Sequence, residues 1–166
     1  TAYEIVSRDW SSDVCSSDLV VQTVKSDTFS SSSAGWVDVT GLSVSITPTY
    51  STSKILLYVC IAAVNVSSTG SCARLLRGST TINIADTAGS RSLGFSGEFY
   101  GYGRSDGFLS FSSMYLDSPS TTSTTTYKVQ VYPRGYALYV NRSVTDNDND
   151  GYTRGVSAIT ALEIAQ

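Results

Sequence analysis

The run Ile55-Leu56-Leu57-Tyr58-Val59-Cys60-Ile61-Ala62-Ala63-Val64 constrains the fold more than any other feature of the chain. It falls well short of the roughly 18 apolar residues that a membrane-crossing helix needs. Read as a strand, it is apolar on both faces. Such a strand must lie in the middle of a sheet and be covered on each side, or be covered on one side by another subunit. The surrounding segments agree with a sheet. Val, Ile, Tyr and Thr dominate them, and no window sustains apolar spacing of three and four, so helices are not expected.

Further strands are expected at residues 20–25, 36–40 and 42–47, the last alternating Leu42, Val44 and Ile46 with Ser43, Ser45 and Thr47 before Pro48. The apolar run extends to a strand over 53–66. Residues 72–77 and 80–85 read as a hairpin about Gly78-Ser79, and 108–116, 126–132, 136–141 and 156–164 complete the set. The stretch 30–35 reads as a Ser-rich turn. Pro133-Arg134-Gly135 reads as another turn, and 117–125 as a solvated polar loop. About eight or nine strands with short turns predict an all-β, jelly-roll-like antiparallel sandwich forming a single domain over residues 20–166.

Residues 1–19 are not expected to belong to that domain. The run Asp9-Trp10-Ser11-Ser12-Asp13-Val14-Cys15-Ser16-Ser17-Asp18-Leu19 resembles the in-frame translation of a short-read library adapter, and Thr1-Ala2-Tyr3-Glu4-Ile5 resembles its upstream arm. The segment is therefore read as a non-native, disordered leader like a fusion scar, on an open frame that begins inside a longer gene. Setting it aside removes Glu4, Asp9, Asp13, Asp18 and Arg8, leaving 14 − 4 = 10 acidic and 11 − 1 = 10 basic residues. A net charge of zero argues against electrostatic capture of nucleic acid, and no membrane insertion is expected.

Chemistry-bearing residues are sparse. The chain has no histidine, which removes the commonest general base and the commonest metal ligand together. Glu98 with Asp106 is the only carboxylate pair worth inspecting for glycoside cleavage. No enzyme is expected. Cys60 and Cys72 read as small buried hydrophobes rather than a bridge.

Two constellations stand out. Residues 89–107 interleave glycines with aromatics, too much glycine for a strand, and read as a long exposed connection. Within it Phe99, Tyr100, Tyr102, Arg104 and Asp106 suit sugar binding, with aromatic faces covering C–H patches while Arg and Asp bond hydroxyls. The competing reading is that these aromatics plug the sandwich end or a subunit interface. Separately, Asp146-Asn147-Asp148-Asn149-Asp150-Gly151 opens like a calcium loop, with Asp146, Asp148 and Asp150 as ligands. Ser157 stands where an EF-hand has its bidentate Glu, so a solvated turn is the bland alternative. Apart from such a Ca²⁺ ion, no cofactor is expected.

Several phrases resemble, in order, a module found near the C-terminal ends of bacteriophage tail-fibre and related virion fibre proteins. They include Val20-Val21-Gln22-Thr23-Val24-Lys25, Val37-Asp38-Val39-Thr40-Gly41-Leu42, Ser53-Lys54-Ile55-Leu56, Leu75-Leu76-Arg77-Gly78-Ser79-Thr80, Leu116-Asp117-Ser118-Pro119, Tyr127-Lys128-Val129-Gln130 and Ile159-Thr160-Ala161-Leu162-Glu163-Ile164. The resemblance implies a homotrimeric β-sandwich head at the extracellular tip of a virion fibre, with the shaft upstream, attaching to a host-surface glycan or protein. It carries over no catalytic residue. A virion decoration or cement protein, or another carbohydrate-binding sandwich, is the alternative.

Overall fold

A computed structural model of the chain describes residues 19–67, 70–101 and 106–165. The expected leader therefore lies outside the described residues except for Leu19. That residue packs against the core, and its carbonyl accepts the Glu163 N–H at 2.9 Å.

Ten strands form, and no helix is found among the described residues. They are β1 (Val20–Lys25), β2 (Phe29–Ser31), β3 (Val37–Ile46), β4 (Lys54–Asn65), β5 (Cys72–Arg77), β6 (Thr80–Ile82), β7 (Leu109–Asp117), β8 (Thr125–Tyr132), β9 (Leu138–Val140) and β10 (Ser157–Ile164). All pairings between them are antiparallel.

In the first sheet β10 and β9 lie end to end along one edge of β4, with β1 and β2 end to end beyond them and β7 on the other edge. The second sheet runs β3-β8-β5-β6. The ten segments thus fill eight rows. Each connection between rows crosses from one sheet to the other except the β5–β6 hairpin, which is the double Greek key of a jelly roll.

Alternation explains the strands. In β3, Leu42, Val44 and Ile46 are buried while Ser43 and Ser45 face solvent. The two strands expected at 36–40 and 42–47 are one strand. Its register against β8 shifts between Asp38 and Ser43, and Gly41 sits there at φ +81°, a conformation that costs glycine little and lets the strand bend as a bulge. The inner faces of both sheets meet in one core that includes Leu42, Ile55, Leu57, Ile61, Leu75 and Ile159, each worth roughly 1.5–3 kcal/mol as a buried side chain.

The buried Asp117 carboxylate is paired twice. The Tyr127 phenol donates to Asp117 at 2.7 Å, and Arg77 reaches the same carboxylate at 2.9 Å. Burial, with the Asp117 bond, pushes the phenol far above its ordinary range, so it stays protonated and donating.

The two split rows break at the same height, and Asn141 holds them there. Its side-chain amide donates to the carbonyls of Lys25 at 2.7 Å and Asp27 at 2.9 Å, across the β1–β2 break. Its oxygen accepts the Ser157 hydroxyl at 2.6 Å, and that hydroxyl accepts the Ala62 N–H of β4 at 3.1 Å. Asn141 is fully buried and left-handed, at φ +62°.

At the other end of the sandwich, the buried Glu163 accepts Thr49 N–H at 2.7 Å and the Thr49 hydroxyl at 3.0 Å, anchoring the β3–β4 turn. Burial pushes its carboxyl up, but the nearby Ser53 hydroxyl and the Thr49 and Tyr50 donors outweigh it and hold it below the ordinary 4.5. A depressed carboxylate stabilises the fold above its unfolded pKa and loses that contribution as pH falls through the folded value. Glu163→Gln is therefore expected to cost about 2 kcal/mol at pH 7. Urea titrations at pH 7 and pH 3 should show the gap from the native chain narrowing on acidification; a constant gap would remove the charge from this account.

Candidate functional site

The connection between β6 and β7 is not simply an exposed loop. Phe95 N–H bonds the Ala73 carbonyl at 2.9 Å, and the Ser96 hydroxyl accepts Ala73 N–H at 2.8 Å, so the chain runs along β5 beyond the end of the short β6. Gly94 permits this approach. A Cβ there would stand 2.2 Å from the Ala73 carbonyl oxygen, closer than any side chain tolerates.

Phe99 lies in the core. It is fully buried, meets Phe111 edge to face at 5.2 Å, and its carbonyl accepts Asn65 N–H at 2.8 Å. A ring so placed packs the sandwich and presents no face to a ligand, as the competing reading of the aromatics holds for this residue. Tyr100 is half-buried and bridges to Asn65, and Asp106 is exposed. Tyr102 and Arg104 lie outside the described residues. Glu98, the other member of the carboxylate pair, accepts the Gly70 N–H.

The Asp/Asn loop lines a cleft of about 350 Å³ that includes Asp146, Asn149, Tyr152 and Arg154. Its three carboxylates do not converge. Asp146 takes its counter-charge from Arg154 at 2.7 Å and Arg142 at 3.7 Å, while Asp148 and Asp150 are exposed and Asn149 accepts the Gly151 N–H at 2.9 Å in a local turn. Among the described residues no three His, Cys, Asp or Glu side chains are grouped to share a metal ion.

The outer faces of the two sheets differ in kind. On the first sheet, pairing lines up Val20, Leu162, Leu56 and Leu116, then Gln22, Thr160, Tyr58 and Met114, then Val24, Ala158, Cys60 and Ser112. None of these carries a charge. Met114 is 68% exposed, Val24 56% and Tyr58 47%. Four strands by three alternate positions span about 20 Å by 20 Å. The remainder of this face, over Ala62 and Val64, is buried, with Phe108 and the backbone at Gly155 lying against Ala62. The doubly apolar run is therefore central, as expected, with one half of its outer side covered by the chain itself and the other half open.

The second sheet carries an ordered polar and aromatic ladder that the sequence reading missed. Trp36 stacks on Tyr132 with centroids 5.2 Å apart, Arg74 lies 4.2 Å over Trp36, and Arg134 lies 5.5 Å over Tyr132. Arg74 donates twice to Gln130, Gln130 donates to Asp38, and Lys128 pairs with Asp38 at 2.8 Å. The Lys128 hydrogen bond outweighs the effect of burial and holds the Asp38 carboxyl below its usual range.

Two adjoining clefts, each about 270 Å³, lie where this ladder meets the β6–β7 connection. Trp36, Arg74 and Ile84 line one, Cys72, Glu98 and Arg134 the other, and Arg91 and Ser92 line both. Burial pushes the Cys72 thiol up to about 11 against the opposing pull of Arg134 and Arg74, so it stays protonated between two cations. The alternation of β8 was visible in sequence, but its pairing with Trp36 was not. No family model matches the chain, and no curated protein matches it.

Proposed function

We propose that this chain is the β-sandwich head of a phage tail fibre, self-associating as a trimer and attaching the virion to host-surface glycans. The observation that carries the reading is the contrast between the sheets of the jelly roll: one outer face has three uncharged, mostly apolar rows bordered by Lys54, and the other carries the Lys128–Asp38 ion pair and the stacked Trp36 and Tyr132 rings. An exposed, mostly apolar sheet face supports reading it as an interface, to which a second and third copy would bring the same three uncharged rows. That leaves loops at the sandwich ends for recognition, as rigid β scaffolds commonly do. Tyr100, Tyr102, Arg104 and Asp106 remain the proposed contacts, with Phe99 assigned to the core.

Fluorescently labelled full-length chain, applied to a panel of bacterial cells and a glycan array, tests the attachment. Saturable binding is expected, and Tyr100→Ala/Tyr102→Ala/Arg104→Ala should reduce it by about a hundredfold while strand content and assembly persist. Absence of binding to any cell or glycan would sink the attachment reading. Recruitment to preformed capsids instead would favour the cement alternative.

A further inference from the structure

We infer that the paired clefts between the Trp36 ladder and the β6–β7 connection form a binding site for an acidic saccharide, its carboxylate held by Arg91 and Arg134 and its ring packed against the part of Trp36 that lines the cleft. The inference goes beyond the attachment reading by adding a site apart from Tyr100 and Asp106 and naming its ligand class. It rests on that reading only in taking the ligand to be a surface glycan.

The charge balance of the site comes first. Three arginines, Arg74, Arg91 and Arg134, line the clefts against one carboxylate, Glu98, a local surplus of 3 − 1 = 2 positive charges. None of the three has an ion-pair partner among the described residues. This sets them apart from Arg77, Arg142 and Arg154, each of which meets a carboxylate within 4.0 Å. Arg91 gives one bond to the Ala88 carbonyl at 3.1 Å, and Arg74 is committed to Gln130, so Arg91 and Arg134 have donors to offer. A guanidinium pair of this kind suits the two oxygens of a carboxylate.

A second, independent observation points to a ligand. Ser71 lines the Arg134 cleft, is 1% exposed, and its hydroxyl has no hydrogen-bond partner among the described residues. A buried hydroxyl left unpaired costs about 1–3 kcal/mol, which a ligand hydroxyl or carboxylate would recover. Glu98 places a hydroxyl acceptor in the same cleft. Trp36 is held in place by stacking on Tyr132 and by Arg74 over its ring, so the part of it that lines the cleft loses little freedom on binding. Cations alone would serve any anion. Cations beside the apolar border of an indole, a serine and a glutamate select a sugar that carries an acid.

The test uses the full chain with Trp10→Phe, which leaves Trp36 as its only tryptophan. Its fluorescence is titrated with a sialylated trisaccharide, a glucuronate-ended disaccharide, the neutral counterpart of each, a sulfated sugar and inorganic phosphate. Saturable change with either carboxylate sugar, about tenfold or more tighter than its neutral counterpart, is the expected result. Arg91→Ala/Arg134→Ala should abolish that preference without altering the unfolding midpoint, as both side chains are exposed. Arg91→Lys/Arg134→Lys should restore part of it. Equal affinity for acidic and neutral sugars, or an unchanged preference in the alanine variant, overturns the site. Phosphate binding as tightly as the sugars overturns the saccharide assignment, and a preference for the sulfated sugar overturns the carboxylate. Absence of cell binding by the native chain bears on the attachment reading alone, because the titration is read without cells.

Discussion

Replacing Asn141 by alanine is expected to destabilise the fold by about 4 kcal/mol, a large share of the 5–15 kcal/mol that a domain of this size possesses. The side chain supplies two donated bonds, to Lys25 and Asp27, and one accepted bond, from Ser157. Each is worth about 1 kcal/mol net, and more where a buried partner is left without a replacement. The left-handed φ of +62° adds about 1 kcal/mol more against alanine, because a Cβ crowds the backbone there unless a local side-chain bond compensates. Asn141→Gly separates the two contributions. It should recover about 1 kcal/mol relative to alanine by relieving the backbone while still lacking the amide. Urea unfolding of the three proteins gives the comparison. A loss below about 1 kcal/mol for alanine would show that the broken rows hold their alignment by strand pairing alone.

That knot also shows where the sequence was legible and where it was not. β1 and β5 form with the bounds that alternation and turn residues assign, and the apolar run becomes the central β4 with a one-residue trim at either end. These are local signals. β2 was read as part of a turn because Phe29 is the one apolar residue in its three, and its strand character comes from pairing with β9, over a hundred residues away. Asn141 reads in sequence only as the last residue of the strand expected at 136–141, since nothing nearby marks it as the point where three rows meet. The glycine content of residues 89–107 suggested exposure. Gly94 serves the opposite purpose, letting the chain press against β5, and Phe99 follows it into the core. The arginine-lined clefts were hidden for the same reason as β2. Trp36, Arg74, Arg91 and Arg134 come from four separated segments, brought together by the β3-β8-β5 pairing and by the β6–β7 connection lying along β5.

For the proposed trimer, Tyr58→Lys combined with Met114→Lys is expected to leave monomers. The two residues face each other across β4 and β7, in the middle of the three uncharged rows. Both are close to or above half exposed in the single chain, so lysine there is well solvated, and the fold should keep its strand content and unfolding midpoint. Within an interface the same ammonium groups would be stripped of water with no carboxylate in any of the three rows to meet them. The penalty is at least about 3 kcal/mol, which is more than a hundredfold in the association constant. Symmetry sharpens the effect, since every subunit brings the same two lysines to the contact and like charges face each other. Ser45→Lys with Thr126→Lys, on the polar outer face of the second sheet, adds the same charge where solvation is undisturbed and should leave assembly unchanged. Sedimentation of the native chain and both variants at micromolar concentration decides the matter. A native monomer, or a Tyr58/Met114 variant that sediments like the native chain, would mean that this face is not where copies meet.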